Sequence, residues 1–207
     1  MTSRRTGLRE QKKQATTEAL REAALRLALE RGVENVRVDD IAEAAGVSPR
    51  TYNNYFSSRE QAIVAAVAAE REAGIAAAVT ARSADVGLAH AVVEAIVEQY
   101  TDPAQQRRDA LLLITTHPAL REAFVNTSGA MEHPLADAIS RRLSDLDPRT
   151  AHVLAASVTA ATRIALQRWV SPATGELVVP SGSLPDLLRT ALAPLAPALD
   201  AAEAPQH

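Results

Sequence analysis

No cysteine occurs among the 207 residues, which excludes disulfides, thiolate metal sites, cysteine nucleophiles and thiol redox sensing. Aromatic residues are nearly as scarce, with one Trp, three Tyr and two Phe. No stretch approaches the roughly 18 uninterrupted apolar residues of a membrane span. The opening segment, MTSRRTGLREQKKQ, has cations with no apolar run behind them, which is not the pattern of a secretory leader. The expectation is a soluble cytoplasmic protein with no membrane partner. The alternation that marks a half-buried strand is also rare. What is abundant is alanine, which favours helix and lets helices approach closely. An all-α fold follows.

Enzymatic signals are missing as well. His90, His117, His133 and His152 are far apart in the chain and His207 is terminal. No H-x-x-x-H pair, G-x-S-x-G elbow or phosphate loop is present. Neither a catalytic residue nor a metal site is expected, and no cofactor.

The net charge of −3 conceals a polarised chain. Arg4, Arg5, Arg9, Lys12 and Lys13 stand against Glu10 alone in the first fourteen residues, a surplus of four positive charges that the remaining chain outweighs with seven negative ones. A basic arm over residues 1–13 is therefore read ahead of an acidic body, the pattern of a nucleic-acid-binding tail or of a solvated one.

Leu20, Ala24, Leu27 and Ala28 recur at helical spacing and stop at Arg31-Gly32, a basic last turn with a glycine stop. Asp39 and Asp40 suit the positive end of a short helix over Val38–Ala45, closed by Gly46. Ser48-Pro49 is an N-cap with proline at the first helical position, and this next helix runs to about Phe56. Ser58 with Gln61 forms a capping box for a long helix to about Arg82. Proline punctuation then predicts helices over Val86–Thr101, Pro103–Thr116, Pro118–Leu143 with a kink or break between Asn126 and Pro134, and Pro148–Val170. Ser171–Ser183 reads as a loop. A last helix over Pro185–Leu199 is compromised by Pro194 and Pro197, and the tail frays after Asp200.

Two short helices joined at Gly46-Val47, the second opening on Ser-Pro, fit a helix-turn-helix, whose second helix enters the major groove of DNA. Tyr52 and Phe56 share a face that packs inward on Ile41 and Leu27. Pro49, Arg50, Asn53 and Asn54 fall elsewhere and present polar groups outward, Asn54 toward DNA or away from it. Arginine grips guanine O6 and N7 in bidentate fashion, and asparagine does the same for adenine N6 and N7. Tyr55 offers a hydroxyl and Arg59 a cation at a helix start, where unpaired N–H groups attract phosphate.

The segment ALREAALRLALERGVENVRVDDIAEAAGVSPRTYNNYFSSREQAI resembles the DNA-binding domain of the tetracycline-repressor (TetR) family of bacterial regulators. The likeness spans about Gln14 to Val67 and rests on A-A-L-x-L-x-x-E-R-G, D-I-A-x-A-A-G-V-S and Y-F-x-S-[KR]-E. It implies a homodimer, a palindromic double-stranded operator, and a larger helical C-terminal domain that binds a small-molecule effector. It also implies phosphate contacts at Ser48, Thr51, Tyr55 and Arg59, and base reading at Pro49, Arg50 and Asn53. Arg37 stands where the family has a small hydroxyl cap, so the cap is lost or Arg37 meets phosphate directly. Asn53 replaces a commoner aromatic.

The organisation read from all this is an arm at 1–13, a helix-turn-helix domain at 14–57, a connecting helix at 58–82, and an effector-binding and dimerisation domain at 83–203. In the last, Phe124, Met131, His133, Thr162 and Trp169 are the candidate ligand-binding residues. Ser157, Thr159 and Thr162 lie in an apolar helix, where hydroxyls bond back to their own backbone. Arg163 reads as a buried cation that needs a partner, an Asp or Glu across the dimer interface rather than an effector's anion. The last two long helices, with Ala155, Ala156, Ala160 and Ala161, resemble the family's dimerising pair. Few aromatics favour a flexible apolar effector. The function expected is a ligand-responsive repressor. The alternative is a helical small-molecule-binding or scaffold protein whose helix-turn-helix does not engage DNA.

Overall fold

Helix α1 (Thr2–Arg31) buries Leu20, Ala23, Ala24, Leu27 and Ala28 on one face, the three-to-four spacing that places side chains in a single helical stripe. It takes in the basic segment read as an arm, so those residues continue the first helix. Gly32 ends it at φ 79°, a backbone conformation that a Cβ would strain. This computed structural model describes residues 2–101, 105–127, 131–170 and 183–203; among them the secondary structure is helices and turns, with no strand.

A 3-10 turn, Val33–Asn35, leads to α2 (Val38–Ala44), α3 (Pro49–Tyr52), α4 (Arg59–Ala81), α5 (Leu88–Thr101), α6 (Gln105–Thr116), α7 (Pro118–Thr127), α8 (Glu132–Arg142), α9 (Pro148–Val170), α10 (Leu184–Leu192) and α11 (Ala196–Glu203). The chain divides into two compact units. One comprises Met1–Val67 with Arg107–Phe124, and the other Ala68–Gln106 with Val125–His207.

In the first unit α1 packs on α2 and α2 on α3. Val36, Ile41, Tyr52, Ile63 and Val64 are fully buried there. In the second, α9 packs on α8 and α10, while α10 and α11 pack on α5. Leu135, Ala138, Ile139, Ala151, Ala155, Val158, Leu166, Leu188, Leu192 and Leu199 fill that core with aliphatic side chains. The guanidinium of Arg189 reaches Glu94 at 3.1 and 3.0 Å, and that pairing holds the Glu94 carboxyl below its ordinary range.

Several elements differ from the sequence reading for identifiable reasons. Helix α3 stops at Tyr52, because Asn54 and Tyr55 bond three residues back, to Thr51 and Tyr52, and tighten the chain into turns. Over Pro118–Leu143 the expected kink or break takes the form of two helices, α7 and α8, with residues 128–130 outside the described set. The start expected at Pro103 and most of the 171–183 loop also lie outside it. The prolines divide the last helix as their chemistry requires: Pro194 sits in a 3-10 turn, Ala193–Leu195, and Pro197 in the first turn of α11, where a missing N–H costs no hydrogen bond. Helix α11 then continues to Glu203, past the fraying expected at Asp200. Glu203 Oε2 accepts the Leu88 N–H at 2.8 Å, which ties the helix end to the start of α5.

Candidate nucleic-acid interface

Gly46, at φ 68°, ends α2 in a Schellman motif. Its N–H bonds to Glu43 O at 3.0 Å and that of Val47 to Ala42 O at 2.9 Å. The chain therefore leaves α2 with satisfied carbonyls and in a fixed direction. Ser48 then caps α3: its Oγ accepts the Thr51 N–H at 3.1 Å and lies 2.9 Å from the Thr51 hydroxyl. Pro49 follows at the position where its ring fits a helix start.

The inner side of α3 is anchored by Tyr52, which is fully buried. Its hydroxyl donates to Ser58 O at 2.8 Å, and its ring meets Phe56 with centroids 5.8 Å apart. Burial pushes the hydroxyl's pKa up to about 12, with the Glu60 carboxylate adding to it. The outer side carries Ser48, Pro49, Arg50, Asn53 and Asn54, all exposed, with Thr51 and Tyr55 half-buried beside them. Within two turns this places donors and acceptors on solvent next to a rigid apolar base.

At the start of α2, Arg37 is exposed in an extended conformation and caps nothing with its side chain. The cap is one-sided: the Arg37 N–H donates to Asp40 Oδ2 at 2.9 Å. A guanidinium has no acceptor to return the bond. The start of α4 shows a similar shift. Ser58 Oγ accepts the Gln61 N–H at 3.2 Å, while Gln61 Oε1 takes the N–H and hydroxyl of Ser57, one residue earlier than a regular box.

Arg59 is turned toward the protein. Its Nη1 donates to Val36 O at 2.8 Å and Glu34 O at 3.4 Å, and its Nε to Glu60 at 2.8 Å. The cation read as a phosphate contact thus straps the turn before α2 to the first turn of α4. Glu34 also meets His117, Oε1 to Nδ1 at 3.1 Å. His117 joins α6 to α7, and sequence offered no local signal for a pairing across so many residues.

The candidate ligand-binding residues are not all interior. Met131 is buried at the head of α8, and Thr162 is buried with its hydroxyl on Val158 O at 2.9 Å, the back-bonding read from sequence. His133 is exposed and meets His152 edge-on, with ring centroids 5.1 Å apart. Trp169 is 37% exposed. Phe124 is buried and belongs to the first unit. Arg163, read as buried, is exposed; Arg71 on α4 is buried, with Cζ 4.3 Å from the Tyr100 ring centroid. The signal was there, an arginine in an alanine-rich apolar helix, but periodicity alone did not single it out. Burial raises the Tyr100 hydroxyl above its ordinary pKa, and the Arg71 charge pulls it back in part.

A capped short helix with a polar outer face, set against a Schellman turn, defines a helix-turn-helix regulator. Residues 20–67 match the model of bacterial regulatory proteins of the tetR family, and residues 82–200 match the MftR C-terminal domain. The HTH-type transcriptional regulator TcmR of Streptomyces glaucescens is 31% identical over 185 residues, covering 83% of this chain and 80% of that protein. The chain belongs to the TetR family of bacterial transcriptional regulators. Among solved structures, Thermus thermophilus FadR, a TetR-family repressor in complex with lauroyl-CoA, is 22% identical with a TM-score of 0.50, covering 86% of this chain and 92% of that one. A transcriptional regulator from Rhodococcus sp. Rha1 is 19% identical with a TM-score of 0.43, covering 89% and 97%.

Proposed function

We propose that this protein is a ligand-responsive repressor that binds a palindromic operator as a homodimer. The observation that carries this reading is the outer face of α3 and its following turn, where Arg50, Asn53 and Asn54 stand exposed above a buried, hydrogen-bonded Tyr52. Arg50 and Asn53 read base edges. Ser48, Thr51, Tyr55 and Arg37 contact phosphate. Arg59 acts through position, because its guanidinium already holds the Val36 and Glu34 carbonyls.

Dimerisation rests on α9 and the helices that follow it. Val153 and Ile164 are 65% and 59% exposed, and the half-buried Ala156, Ser157 and Ala160 lie between them at helical spacing. Two-fold pairing through that stripe gives two recognition helices and hence an inverted repeat. The effector binds in the second unit, whose aliphatic core suits a flexible apolar molecule. The lauroyl-CoA bound by the FadR relative carries a flexible apolar chain of that kind, joined to a charged coenzyme A. Ligand moves the equilibrium only by its preference for the state that does not fit the operator.

Selection from a random duplex pool by the purified protein tests this. An enriched inverted repeat is expected. On that repeat, Arg50→Ala should cost about 1–3 kcal/mol and relax preference at one base pair in each half-site. A pool that yields no repeat returns the chain to the alternative, a helical binder whose helix-turn-helix does not engage DNA.

A further inference from the structure

One stripe of α1 changes chemistry along its length. Arg9, Lys12 and Lys13, Thr16, Leu20, Ala23 and Ala24, and Leu27 recur at intervals of three and four residues, so they share a helical face. From Leu20 onward that face is buried. At Arg9, Lys12 and Lys13 it is exposed and cationic. Arg9 precedes Leu20 by eleven residues, which places it roughly 16 Å further along the axis.

Two of the later cations of α1 are neutralised by their own helix, Arg21 by Glu18 and Arg26 at 3.4 Å by Glu30, while Arg31 sits in the last turn, at the helix's negative end. Among the described residues, Arg9, Lys12 and Lys13 enter no such pair. The hydroxyls beside them are occupied elsewhere: Thr16 and Thr17 donate back to the Lys12 and Lys13 carbonyls at 2.9 Å. The tetR model begins at residue 20, so this cationic end lies ahead of the matched reading head.

We infer that the N-terminal end of α1 is a second DNA contact, in which Arg9, Lys12 and Lys13 bind backbone phosphates flanking each half-site. Charge complementarity selects the occupant, since these cations sit on an otherwise acidic chain and a duplex presents a dense row of phosphates. An anionic membrane suits the segment poorly, because residues 2–14 hold one large apolar side chain type, Leu8, and a membrane-surface helix needs an apolar face. Phosphate contacts of this kind add affinity and fix register without reading sequence.

The inference rests on the operator-binding reading, and a salt titration separates the two. Fluorescence anisotropy on the selected duplex, between 50 and 200 mM KCl, compares wild type with the triple variant Arg9→Gln, Lys12→Gln, Lys13→Gln. Each lost phosphate contact makes the slope of log K against log salt shallower by about 0.9. The variant should lose about 2–3 in slope per protomer while its base preference stays unchanged, with circular dichroism reporting an intact fold. Equal slopes for the two proteins overturn the inference and leave the operator reading standing. A wild type that enriches no duplex removes both.

Discussion

At the scale of single residues, the functional surface depends on groups that never touch it. Tyr52 is the clearest case. A phenol sealed from water needs a partner, and Ser58 O at 2.8 Å supplies it, fixing the underside of α3 to the start of α4. Replacing the hydroxyl by hydrogen removes that bond and leaves Ser58 O with the Ala62 N–H at 3.3 Å, which costs about 1 kcal/mol. Tyr52→Phe is therefore expected to lower the urea midpoint without altering secondary structure. The ionisation of the same group adds a pH signature. Its pKa rises from 10.0 to about 12 on folding, so its stabilising effect is complete below pH 10 and is lost as pH rises toward 12. Wild type should lose stability across that window, and Tyr52→Phe should lose less. Equal alkaline slopes in urea denaturation would mean that the tyrosine is not as enclosed as its surroundings imply.

At the scale of elements, the parts that sequence displays openly are those governed by local chemistry. Ser48-Pro49 and Gly46 mark their helix ends because capping and positive φ each belong to one residue and its neighbours. The early stop of α3 was hidden, since three-residue and four-residue bonding use the same side chains. Long-range straps were hidden too. Arg59 looks like a phosphate ligand in sequence because its carbonyl partners carry no side-chain signature. Arg163 looked buried and Arg71 did not, because an alanine-rich helix presents similar faces all round. Arg142 is a further strap of this kind. From α8 its guanidinium donates to Arg82 O and Ser83 O at 2.8 Å, to Val79 O at 3.4 Å, and to Val86 O, holding the end of α4 and the turn before α5 together. Its side chain is 7% exposed, and Glu203 lies 3.9 Å away, beyond hydrogen-bond reach. Arg142→Met should remove the guanidinium donors from these carbonyls, of which Ser83 O keeps the Val86 N–H at 3.2 Å, and cost about 2–4 kcal/mol. Glu203→Gln keeps an acceptor for the Leu88 N–H and should cost under about 1 kcal/mol. Thermal denaturation of the two variants checks the contrast, and equal losses would place the strength in the ion pair.

At the scale of the whole molecule, α1 and α9 each carry a distinct exposed stripe. Cations gather at one end of α1, and the bulkiest exposed aliphatic side chains of α9, Val153 and Ile164, stand on the stripe that also holds Ala156, Ser157 and Ala160. Exposed isoleucine and valine on a stripe otherwise made of small residues form a surface that a second helix can approach closely. Burying each such side chain contributes about 1.5–3 kcal/mol, and two-fold symmetry counts every contact twice. A carboxylate set into that stripe would face its own copy across the axis and be desolvated there, so Val153→Asp with Ile164→Asp should separate the subunits. Neither position belongs to the buried core of its own chain, so the variant is expected to stay helical by circular dichroism while its mass by light scattering halves. Its operator affinity should fall steeply, because two tethered half-sites act at an effective concentration of roughly millimolar and a free monomer loses that advantage. Binding to a single half-site should be unchanged. A variant that remains dimeric would move the interface off α9, and one that turns monomeric yet binds the full operator as tightly as wild type would sever dimerisation from recognition.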